Sequence, residues 1–266
     1  MNAPKKSLGQ NFLINAGVCE KIASACAVSD NLGVIEIGPG RGALTTRLAS
    51  LAKKVVALEL DGSLIPALRE AVAPLGSVEI LQCDALEVDL SAIIAERLAG
   101  LDAVIAGNLP YYITSPLIMK VLESRTSARR AVFMVQKEAA RRLCAAERSR
   151  ECGAATMAVR WFSEPAVLFD VSPGSFFPAP SVTSSVISLE LRGEPPLAVR
   201  DEKKMFAVIK VAFAQRRKTA ANAIAAGLCL DKSAVISALR ALGLDENIRA
   251  ERLALADYAA ISDALF

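Results

Sequence analysis

The chain has 266 residues, of which 53% are hydrophobic and 22% are charged, and its formal net charge is +3. This length and hydrophobic content fit one large α/β domain with or without a small second domain, and they exclude wholesale disorder. The sequence contains no histidine, so every mechanism that depends on an imidazole acid, base or nucleophile partner is excluded.

Between residues 34 and 136, short apolar runs alternate with stretches in which apolar residues recur at helical spacing. The runs predict five strands, at Val34–Ile37, Val55–Leu58, Val78–Leu81, Ala103–Ala106 and Ala131–Val135. The stretches between them predict helices around Leu44–Leu51, Leu64–Val72, Ser91–Leu98 and Ile118–Leu122. Continuous apolar strands that alternate with helices indicate a parallel sheet covered on both faces, with ligands bound beyond the carboxyl ends of its strands.

The pattern changes after the fifth strand. Two further strands are predicted at Ala166–Val171 and Val186–Leu191, on either side of a segment rich in Pro, Ser and Gly. Beyond Glu194-Pro195-Pro196, helical periodicity without strand signals runs over 203–226, 232–242 and 256–265. We therefore predict two domains.

The first predicted domain covers residues 1–194 and is Rossmann-like, with a mostly parallel seven-stranded sheet. Its first 15 residues are expected to cover a bound cofactor and substrate. The second predicted domain, over residues 195–266, is small and all-helical.

A glycine-rich loop, Gly38-Pro39-Gly40-Arg41-Gly42, follows the first predicted strand and precedes a helix. Its Gly-x-Gly-x-Gly spacing differs from the dinucleotide fingerprint, and proline removes one N–H that could bind a phosphate. Glu59 ends the second strand, where a carboxylate can accept hydrogen bonds from both ribose hydroxyls of a nucleoside. Asp84 in Gln82-Cys83-Asp84-Ala85 follows the third strand and suits an adenine amino group. Strand-end carboxylates are often structural, but the Gly-rich loop and the two carboxylates, in register at successive strand ends, together favour an adenosine-type cofactor.

The fourth predicted strand ends in Asn108-Leu109-Pro110-Tyr111. The amino nitrogen of adenine is a poor nucleophile, because its lone pair is delocalised into the ring. The Asn108 side-chain oxygen and the Leu109 carbonyl are suited to accept hydrogen bonds from both amino hydrogens, while Pro110 fixes the turn and Tyr111 offers a ring for stacking. No strong general base is needed, in keeping with a chain that lacks histidine. The structural alternative is a simple strand-to-helix turn with a capping asparagine.

A proline-restricted loop, Phe176-Phe177-Pro178-Ala179-Pro180, offers a second flat wall for a base held out of its stack. An ordinary hydrophobic loop is the alternative.

Basic residues cluster in three places. The window 125–150 contains eight basic and two acidic residues, Arg216-Arg217-Lys218 forms a second cluster, and Lys5-Lys6 a third. Such clusters are compatible with solvated helix faces and with phosphate binding, and the sequence leaves both open.

The six cysteines include no Cys-x-x-Cys pair. Because histidine is also absent, no metal site is expected, and free thiols in a reducing cytoplasm are predicted. The first eleven residues are polar, and the long uncharged stretches are interrupted by Pro, Gly, Asn and Ser. We therefore expect a cytoplasmic protein with no membrane partner.

Several motifs together resemble the ribosomal RNA adenine dimethyltransferase family, the kasugamycin-sensitivity dimethylases of the small subunit. The resemblance covers nearly the whole chain. The Gly-rich loop is common to many methyltransferases, whereas Asn108–Tyr111 together with Gly9-Gln10-Asn11-Phe12-Leu13 is far more specific. Further matching segments are Gln136-Lys137-Glu138, Phe176-x-Pro178-x-Pro180-x-Val182 and Phe213-x-x-Arg216-Arg217-Lys218-Thr219.

The resemblance implies a class I methyltransferase domain that uses S-adenosylmethionine and a helical domain that binds RNA. The implied cofactor contacts are Asn11, Leu13, Gly38, Gly40, Glu59, Asp84, Ala85 and Asn108. The implied catalytic residues, which hold the target adenine, are Asn108, Leu109, Pro110, Tyr111 and Phe176. The implied RNA contacts are Arg216, Arg217, Lys218, Arg141 and Arg142. The implied reaction, carried out by a monomer late in assembly of the pre-30S particle, dimethylates two adjacent adenosines near the 3′ end of 16S ribosomal RNA.

Three positions depart from the family pattern, namely Leu8, Ser181 and Thr183, and all three lie beside the expected substrate path. The nearest rival is the related large-subunit dimethyltransferase that confers macrolide resistance, which shares the catalytic motifs. A non-catalytic ribosome-assembly factor would have lost Asn108 or Tyr111, and both are present. A nicotinamide dehydrogenase is opposed by the glycine spacing.

Overall fold

The computed structural model describes residues 10–215 and 217–266. All seven predicted sheet strands are present, each within three residues of the predicted ends. In chain order the strands are β1 (Phe12–Leu13), β2 (Leu32–Ile37), β3 (Lys54–Glu59), β4 (Val78–Gln82), β5 (Asp102–Asn108), β6 (Arg130–Gln136), β7 (Ser163–Val171), β8 (Phe176–Phe177) and β9 (Ser184–Leu191).

The large sheet has the strand order β4-β3-β2-β5-β6-β9-β7. Neighbours from β4 to β6 are parallel, and β9 runs antiparallel to both β6 and β7. This arrangement confirms the predicted mostly parallel seven-stranded sheet. Every residue of β2 is buried, because the strand is central and covered on both faces.

The order of the strands reverses beside β2, since β3 and β4 lie on one side of it and β5 and β6 on the other. In open parallel sheets, ligands bind at such a switch point, just beyond the carboxyl ends of the strands. The Gly-rich loop, Glu59 and Asn108 all lie at these ends. The sheet therefore brings together residues that are 70 positions apart in the sequence.

Five helices connect the first six strands: α1 (Ala16–Cys26), α2 (Ala43–Leu51), α3 (Ile65–Val72), α4 (Leu90–Arg97) and α5 (Thr114–Glu123). Of these, α1 was not predicted. Its signals are the Asn15 cap, whose side chain accepts hydrogen bonds from two backbone N–H groups, and buried residues at helical spacing, Cys19, Ile22, Ala23 and Cys26.

A two-stranded antiparallel ribbon, β1 with β8, was also not predicted. Phe12 pairs with Phe177 and Leu13 pairs with Phe176. The Ile14 N–H extends the ribbon by donating to the Ser175 carbonyl at 2.9 Å. The ribbon attaches the N-terminal segment to the proline-rich loop.

The chain divides into two compact units whose limits differ from the predicted domains. The sheet unit comprises the residues up to Ala140 together with Ser163–Gly193, and the helical unit comprises Arg141–Phe162 and Glu194–Phe266. The chain enters the helical unit for the second time after Gly193, within one residue of the predicted domain boundary. The segment Arg141–Phe162, however, which was expected in the first domain, is part of the helical unit.

The remaining helices are α6 (Lys137–Leu143), α7 (Ala154–Phe162), α8 (Glu202–Ala214), α9 (Ala220–Leu228), α10 (Lys232–Ala241) and α11 (Leu255–Leu265). The position of α7 follows from its side chains, since Met157 and Trp161 are buried in the same core as Met205. The Trp161 indole N–H also donates to Glu202 at 3.1 Å. The helical stretch predicted over 203–226 is two helices, because the chain turns after α8 and Thr219 caps α9.

Within the described residues, no helix combines the length and the apolar composition that a membrane span requires.

Candidate active site

A cleft lies at the carboxyl ends of β2, β3, β4 and β5 and encloses about 830 Å³ of empty space, part of it open to solvent. Most of the predicted site residues line it: Asn11, Gly38, Gly40, Glu59, Asp84, Ala85, Asn108, Leu109, Pro110 and Tyr111. Two predicted residues, Leu13 and Phe176, are instead buried in the core of the sheet unit.

The Gly-rich loop turns tightly at the end of β2. Gly38 has a φ of +70° and Gly40 a φ of +58°, in the left-handed region that favours glycine. A Cβ on Gly40 would also lie 3.1 Å from the ring of Phe12. Glycine at this position therefore lets the backbone pass close under the aromatic ring at the edge of the cleft.

Glu59 is held by the loop it faces. Its Oε2 accepts a hydrogen bond from the Gly40 N–H at 2.9 Å, and its Oε1 accepts one from the Asp61 N–H at 2.8 Å. Burial raises the pKa of the Glu59 carboxyl, and these backbone hydrogen bonds act in the opposite direction. Each carboxylate oxygen can accept a further hydrogen bond, so the arrangement suits a pair of hydroxyl donors.

Asp84 closes the end of β4. Its Oδ1 accepts a hydrogen bond from the Leu86 N–H at 2.8 Å, and its carbonyl accepts one from the Glu87 N–H at 3.0 Å. These bonds fix the side chain at the wall of the cleft, with acceptor capacity to spare for a ligand amino group.

The Asn108 side chain has a defined orientation. Its Nδ2 donates to the backbone carbonyl of Asn11 at 3.0 Å. Because a carbonyl oxygen can only accept, the amide nitrogen must face Asn11 and the Oδ1 acceptor must point away from it. The Leu109 N–H donates to the Met134 carbonyl at 3.1 Å and fixes the backbone that follows.

Tyr111 is half-buried at the cleft, and its hydroxyl lies 2.8 Å from Ser184 Oγ on β9. Burial raises the pKa of the Tyr111 phenol, which keeps the group neutral. The Thr114 hydroxyl donates to the Pro110 carbonyl at 3.1 Å. The Asn108–Tyr111 turn is thus fixed at both ends.

The described part of the N-terminal segment, residues 10–14, borders the cleft and is fastened at three points. Gln10 Nε2 donates to Asp61 Oδ2 at 3.0 Å, the Asn11 carbonyl accepts from Asn108, and β1 pairs with β8. The Arg41 guanidinium also lies 4.5 Å from the centre of the Phe12 ring. Gln10 belongs to a motif noticed in the sequence, whereas no sequence pattern indicated its partner Asp61.

The two phenylalanines of the proline-rich loop occupy opposite environments. Residues paired across an antiparallel ribbon share a face, and successive residues alternate. Leu13 and Phe176 form the face that is buried in the core, with Phe176 only 3% exposed. Phe177 shares the other face with Phe12, which lines the cleft, and is 56% exposed. The predicted Phe176 is thus buried in the core, whereas Phe177 is exposed and paired with a residue that lines the cleft.

Glu36 is a buried carboxyl that no sequence pattern singled out for a role. It lies in β2 and is 1% exposed. Neither its Oε2 nor the Thr45 hydroxyl has a hydrogen-bond partner within the described residues. Burial raises the pKa of Glu36 to about 8, and the nearby Glu59 carboxylate also raises it. The Thr45 hydroxyl lowers this pKa from close by, although it forms no hydrogen bond of normal geometry with Glu36.

The basic window 125–150 is largely balanced by acidic partners from elsewhere in the chain. Arg129 pairs with Asp102, Arg130 with Glu190, Lys137 with Asp170, Arg141 with Glu151 and Arg148 with Asp257. The predicted RNA contact Arg141 is one of these paired residues, and the carbonyl of Arg142 accepts a hydrogen bond from Thr156. The charge of this window is therefore mostly structural.

The helical unit nevertheless carries the positive charge of the chain. It contains 16 basic and 11 acidic residues, a net charge of +5, which leaves −2 for the sheet unit. Arg217 and Lys218 are exposed in the turn between α8 and α9, whereas Arg216 lies outside the described residues. No ion pair of Arg217 or Lys218 occurs within the part of the chain that the structure describes.

Among the described residues, no group of three or more His, Cys, Asp or Glu side chains is arranged to hold a metal ion.

The model of the ribosomal RNA adenine dimethylase family matches residues 1–265. The chain belongs to this family. A relative named ribosomal RNA small subunit methyltransferase A, from Geobacillus kaustophilus, is 46% identical over 265 residues, which cover 98% of this chain and 90% of the relative. The protein of the same name from Alkaliphilus metalliredigens is 42% identical over 258 residues, which cover 97% of this chain and 90% of the relative.

Solved structures agree with this assignment. A dimethyladenosine transferase from Plasmodium falciparum is similar with a TM-score of 0.78 at 25% identity, covering 94% of this chain and 95% of that one. The 23S rRNA methyltransferase ErmE is similar with a TM-score of 0.73 at 24% identity, covering 96% of this chain and 99% of that one. This second similarity shows the shared fold alone.

Membership in the family implies S-adenosylmethionine as the methyl donor, and the cleft fits it. A nucleoside needs paired acceptors for its ribose hydroxyls and close backbone approach at a glycine turn. Glu59 supplies the former, and the loop around Gly38 and Gly40 supplies the latter. Asp84 supplies a further acceptor at the neighbouring strand end.

We predict that Glu36→Gln flattens the pH dependence of stability. Between the ordinary value near 4.5 and the folded value of about 8, the carboxyl is protonated in the folded state but ionised in the unfolded state. Unfolding then releases a proton, so this group's contribution to stability falls as pH rises through that window. The substituted amide has no proton to release, and the stability of the variant relative to wild type should increase from pH 5 to pH 8.

Urea unfolding at several pH values, followed by circular dichroism, measures this difference. Glu70→Gln, at an exposed carboxylate on α3, is the matched control and should parallel wild type. A Glu36→Gln profile that also parallels wild type would show that the folded chain ionises Glu36 normally.

Proposed function

We propose that the chain uses S-adenosylmethionine to dimethylate the exocyclic amino groups of two adjacent adenosines near the 3′ end of 16S ribosomal RNA. The observation that carries the proposal is the orientation of Asn108, whose amide nitrogen is engaged by the Asn11 carbonyl. Its oxygen is thereby available to a donor in the cleft. We assign cofactor binding and catalysis to the sheet unit, and RNA binding to the helical unit.

Asn108 Oδ1 and the Leu109 carbonyl accept one hydrogen bond each from the two amino hydrogens of adenine. These bonds draw the nitrogen toward a tetrahedral form and concentrate its lone pair on the side of the donor. The cofactor supplies a methyl group bonded to a positively charged sulfur. The amino nitrogen would take this methyl group while the electron pair of the S–C bond stays on sulfur, and the methylated nitrogen would then lose a proton to solvent without a strong base. For the second methyl group one amino hydrogen remains, so only one of the two acceptors, Asn108 Oδ1 or the Leu109 carbonyl, would bind a hydrogen, and the first methyl group would take the place of the other hydrogen.

The cofactor contacts follow the strand ends. Glu59 would accept hydrogen bonds from the ribose hydroxyls, and Asp84, with Ala85 beside it, would accept a hydrogen bond from the adenine amino group of the cofactor. Asn11 and the Gly38–Gly40 loop would hold the methionine portion. Leu13 would contribute to this site through its backbone, because its side chain is buried in the core.

We assign one aromatic ring to each face of the target base. Tyr111 is positioned by its hydrogen bond to Ser184 and provides one face. Phe177, on the cleft face of the β1–β8 ribbon, provides the other, in place of Phe176. Stacking between aromatic side chains stabilises a base that has left its stack.

The choice of small-subunit RNA is supported by the relatives at 40–46% identity, which are named small subunit methyltransferases. The fold does not separate small-subunit from large-subunit enzymes, since ErmE shares it. We propose further that a monomer acts on the pre-30S particle, and therefore in the cytoplasm where ribosomal subunits assemble.

RNA contact is assigned to Arg217 and Lys218 in the turn between α8 and α9, and to Arg216, which precedes them in the sequence and lies outside the described residues. The net charge of +5 on the helical unit supports phosphate binding there. Lys218 also lines a small surface pocket together with Arg150 and Gln215. Arg141 contributes less than the sequence suggested, because Glu151 offsets its charge.

Asn108→Ala should lower methyl transfer to small subunits by at least about 100-fold, comparable to the loss of one preorganised polar group at a reacting centre. Binding of S-adenosylmethionine should remain measurable by calorimetry. Asn31→Ala removes an asparagine outside the cleft and should leave turnover unchanged. Wild-type turnover in the Asn108→Ala variant would contradict the proposed role.

Substitution of the two neighbouring phenylalanines should affect different properties, substrate binding for Phe177 and stability for Phe176. Phe177→Ala should raise KM for the RNA substrate while leaving thermal stability nearly unchanged, because the ring is exposed. Phe176→Ala should lower the free energy of unfolding by about 3–5 kcal/mol, because the ring is buried in the core. If Phe177→Ala has wild-type kinetics, Phe177 is not the second wall.

Replacing both Arg217 and Lys218 with alanine should make RNA binding less sensitive to salt. Loss of two phosphate contacts should reduce the slope of log K against log salt by about 1.5–2. The control is Lys210→Ala with Lys232→Ala, which removes two exposed charges from the same unit. An equal effect in both variants would mean that net charge, and not this turn, carries the interaction.

A further inference from the structure

Exposed aromatic side chains are rare in this chain and concentrated at the cleft. Of the thirteen Phe, Tyr and Trp residues, the exposed ones are Tyr112, Phe177 and the C-terminal Phe266. Tyr112 lines the cleft directly and is 56% exposed. The other exposed ring of the sheet unit, Phe177, is paired across the ribbon with Phe12, which also lines the cleft.

The backbone that carries Tyr112 is fixed. The residue is the middle of a 3-10 turn, Tyr111–Ile113, whose last N–H donates to the Pro110 carbonyl at 3.2 Å. The preceding residue, Tyr111, is tied to Ser184, and the following α5 begins at Thr114, whose hydroxyl also binds Pro110. The Tyr112 ring therefore projects from a rigid base.

Tyr112 also differs from the other two tyrosines of the chain. The hydroxyl of Tyr111 bonds to Ser184, and that of Tyr258 donates to the Ala250 carbonyl at 2.9 Å. The Tyr112 hydroxyl has no hydrogen-bond partner within the described residues. The Tyr112 hydroxyl is therefore not used by the hydrogen bonds of the described fold, as expected of a side chain that meets a ligand.

We propose that Tyr112 is a stacking platform for the nucleobase next to the target adenine. The inference rests on the proposed function. When one base of a strand enters the cleft, the nucleotides on either side must remain at its mouth, where Tyr112 lies. Single-stranded bases commonly stack on exposed aromatic rings, and such stacking tolerates any base identity. The cofactor is a less suitable partner for this ring, because its polar contacts lie at Glu59 and Asp84 on neighbouring strands.

The test is the steady-state kinetics of Tyr112→Ala and Tyr112→Phe on small ribosomal subunits that lack dimethyladenosine. Tyr112→Ala should raise KM for the subunit by about tenfold, the loss expected for one stacked base, with kcat within about twofold of wild type. Tyr112→Phe keeps the ring and should restore the wild-type KM. Phe266→Ala removes an exposed ring outside the cleft and should match wild type.

Binding of S-adenosylmethionine and the thermal midpoint are measured on the same variants, and neither should change. A wild-type KM in Tyr112→Ala would overturn the inference. So would a matching loss of cofactor affinity, which would assign the ring to the cofactor, or a Tyr112→Phe variant as impaired as Tyr112→Ala, which would assign the role to the hydroxyl. If the unchanged chain itself transfers no methyl, the proposed function fails and not this inference, and the same comparison is then made on the Kd for small subunits.

Discussion

The hydrogen bond from Asn108 Nδ2 to the Asn11 carbonyl is the contact on which the proposed site depends. It settles which end of the amide faces the cleft, and it ties the N-terminal segment to the carboxyl end of β5. An amide in the opposite orientation would present a donor to adenine, and a donor cannot bind the amino hydrogens. The same bond helps to hold Phe12 over Gly40. Catalytic geometry and closure of the cofactor cleft are thus coupled through one contact.

The chemistry suits a chain without histidine. Every polar group assigned to the reaction acts as a hydrogen-bond acceptor of fixed direction, and none has to exchange a proton with the substrate. The parallel sheet supplies that rigidity, because Glu59, Asp84 and Asn108 occupy successive strand ends around a switch point. The aromatic groups differ, since Tyr111 is anchored whereas Phe177 and Tyr112 are exposed. Fixed acceptors inside the cleft and exposed rings at its mouth match a small cofactor and a large substrate.

The sheet could be predicted because each strand is a short, mostly apolar run, and the carboxylates that follow the strands could be read from the same pattern. The β1–β8 ribbon could not, because it pairs residues about 165 positions apart in two-residue strands. Without that pairing, nothing distinguishes Phe176 from Phe177. The assignment of α7 to the helical unit could not be predicted either, because Trp161 and Met157 become buried only when α8 is folded beside them. The charge of the basic window 125–150 could not be judged from the sequence for a similar reason. The acidic residues that pair with it, such as Asp102 and Glu190, lie outside the window and partly far from it in the sequence.

The most direct test of the account is methyl transfer from labelled S-adenosylmethionine to small and large ribosomal subunits isolated without dimethyladenosine. The account predicts label on the small subunit, as dimethyladenosine at two adjacent positions near the 3′ end of its RNA. Label on the large subunit would contradict the substrate assignment while preserving the site. Tight binding to the small subunit without any label would contradict the catalytic assignment and would indicate a non-catalytic assembly factor.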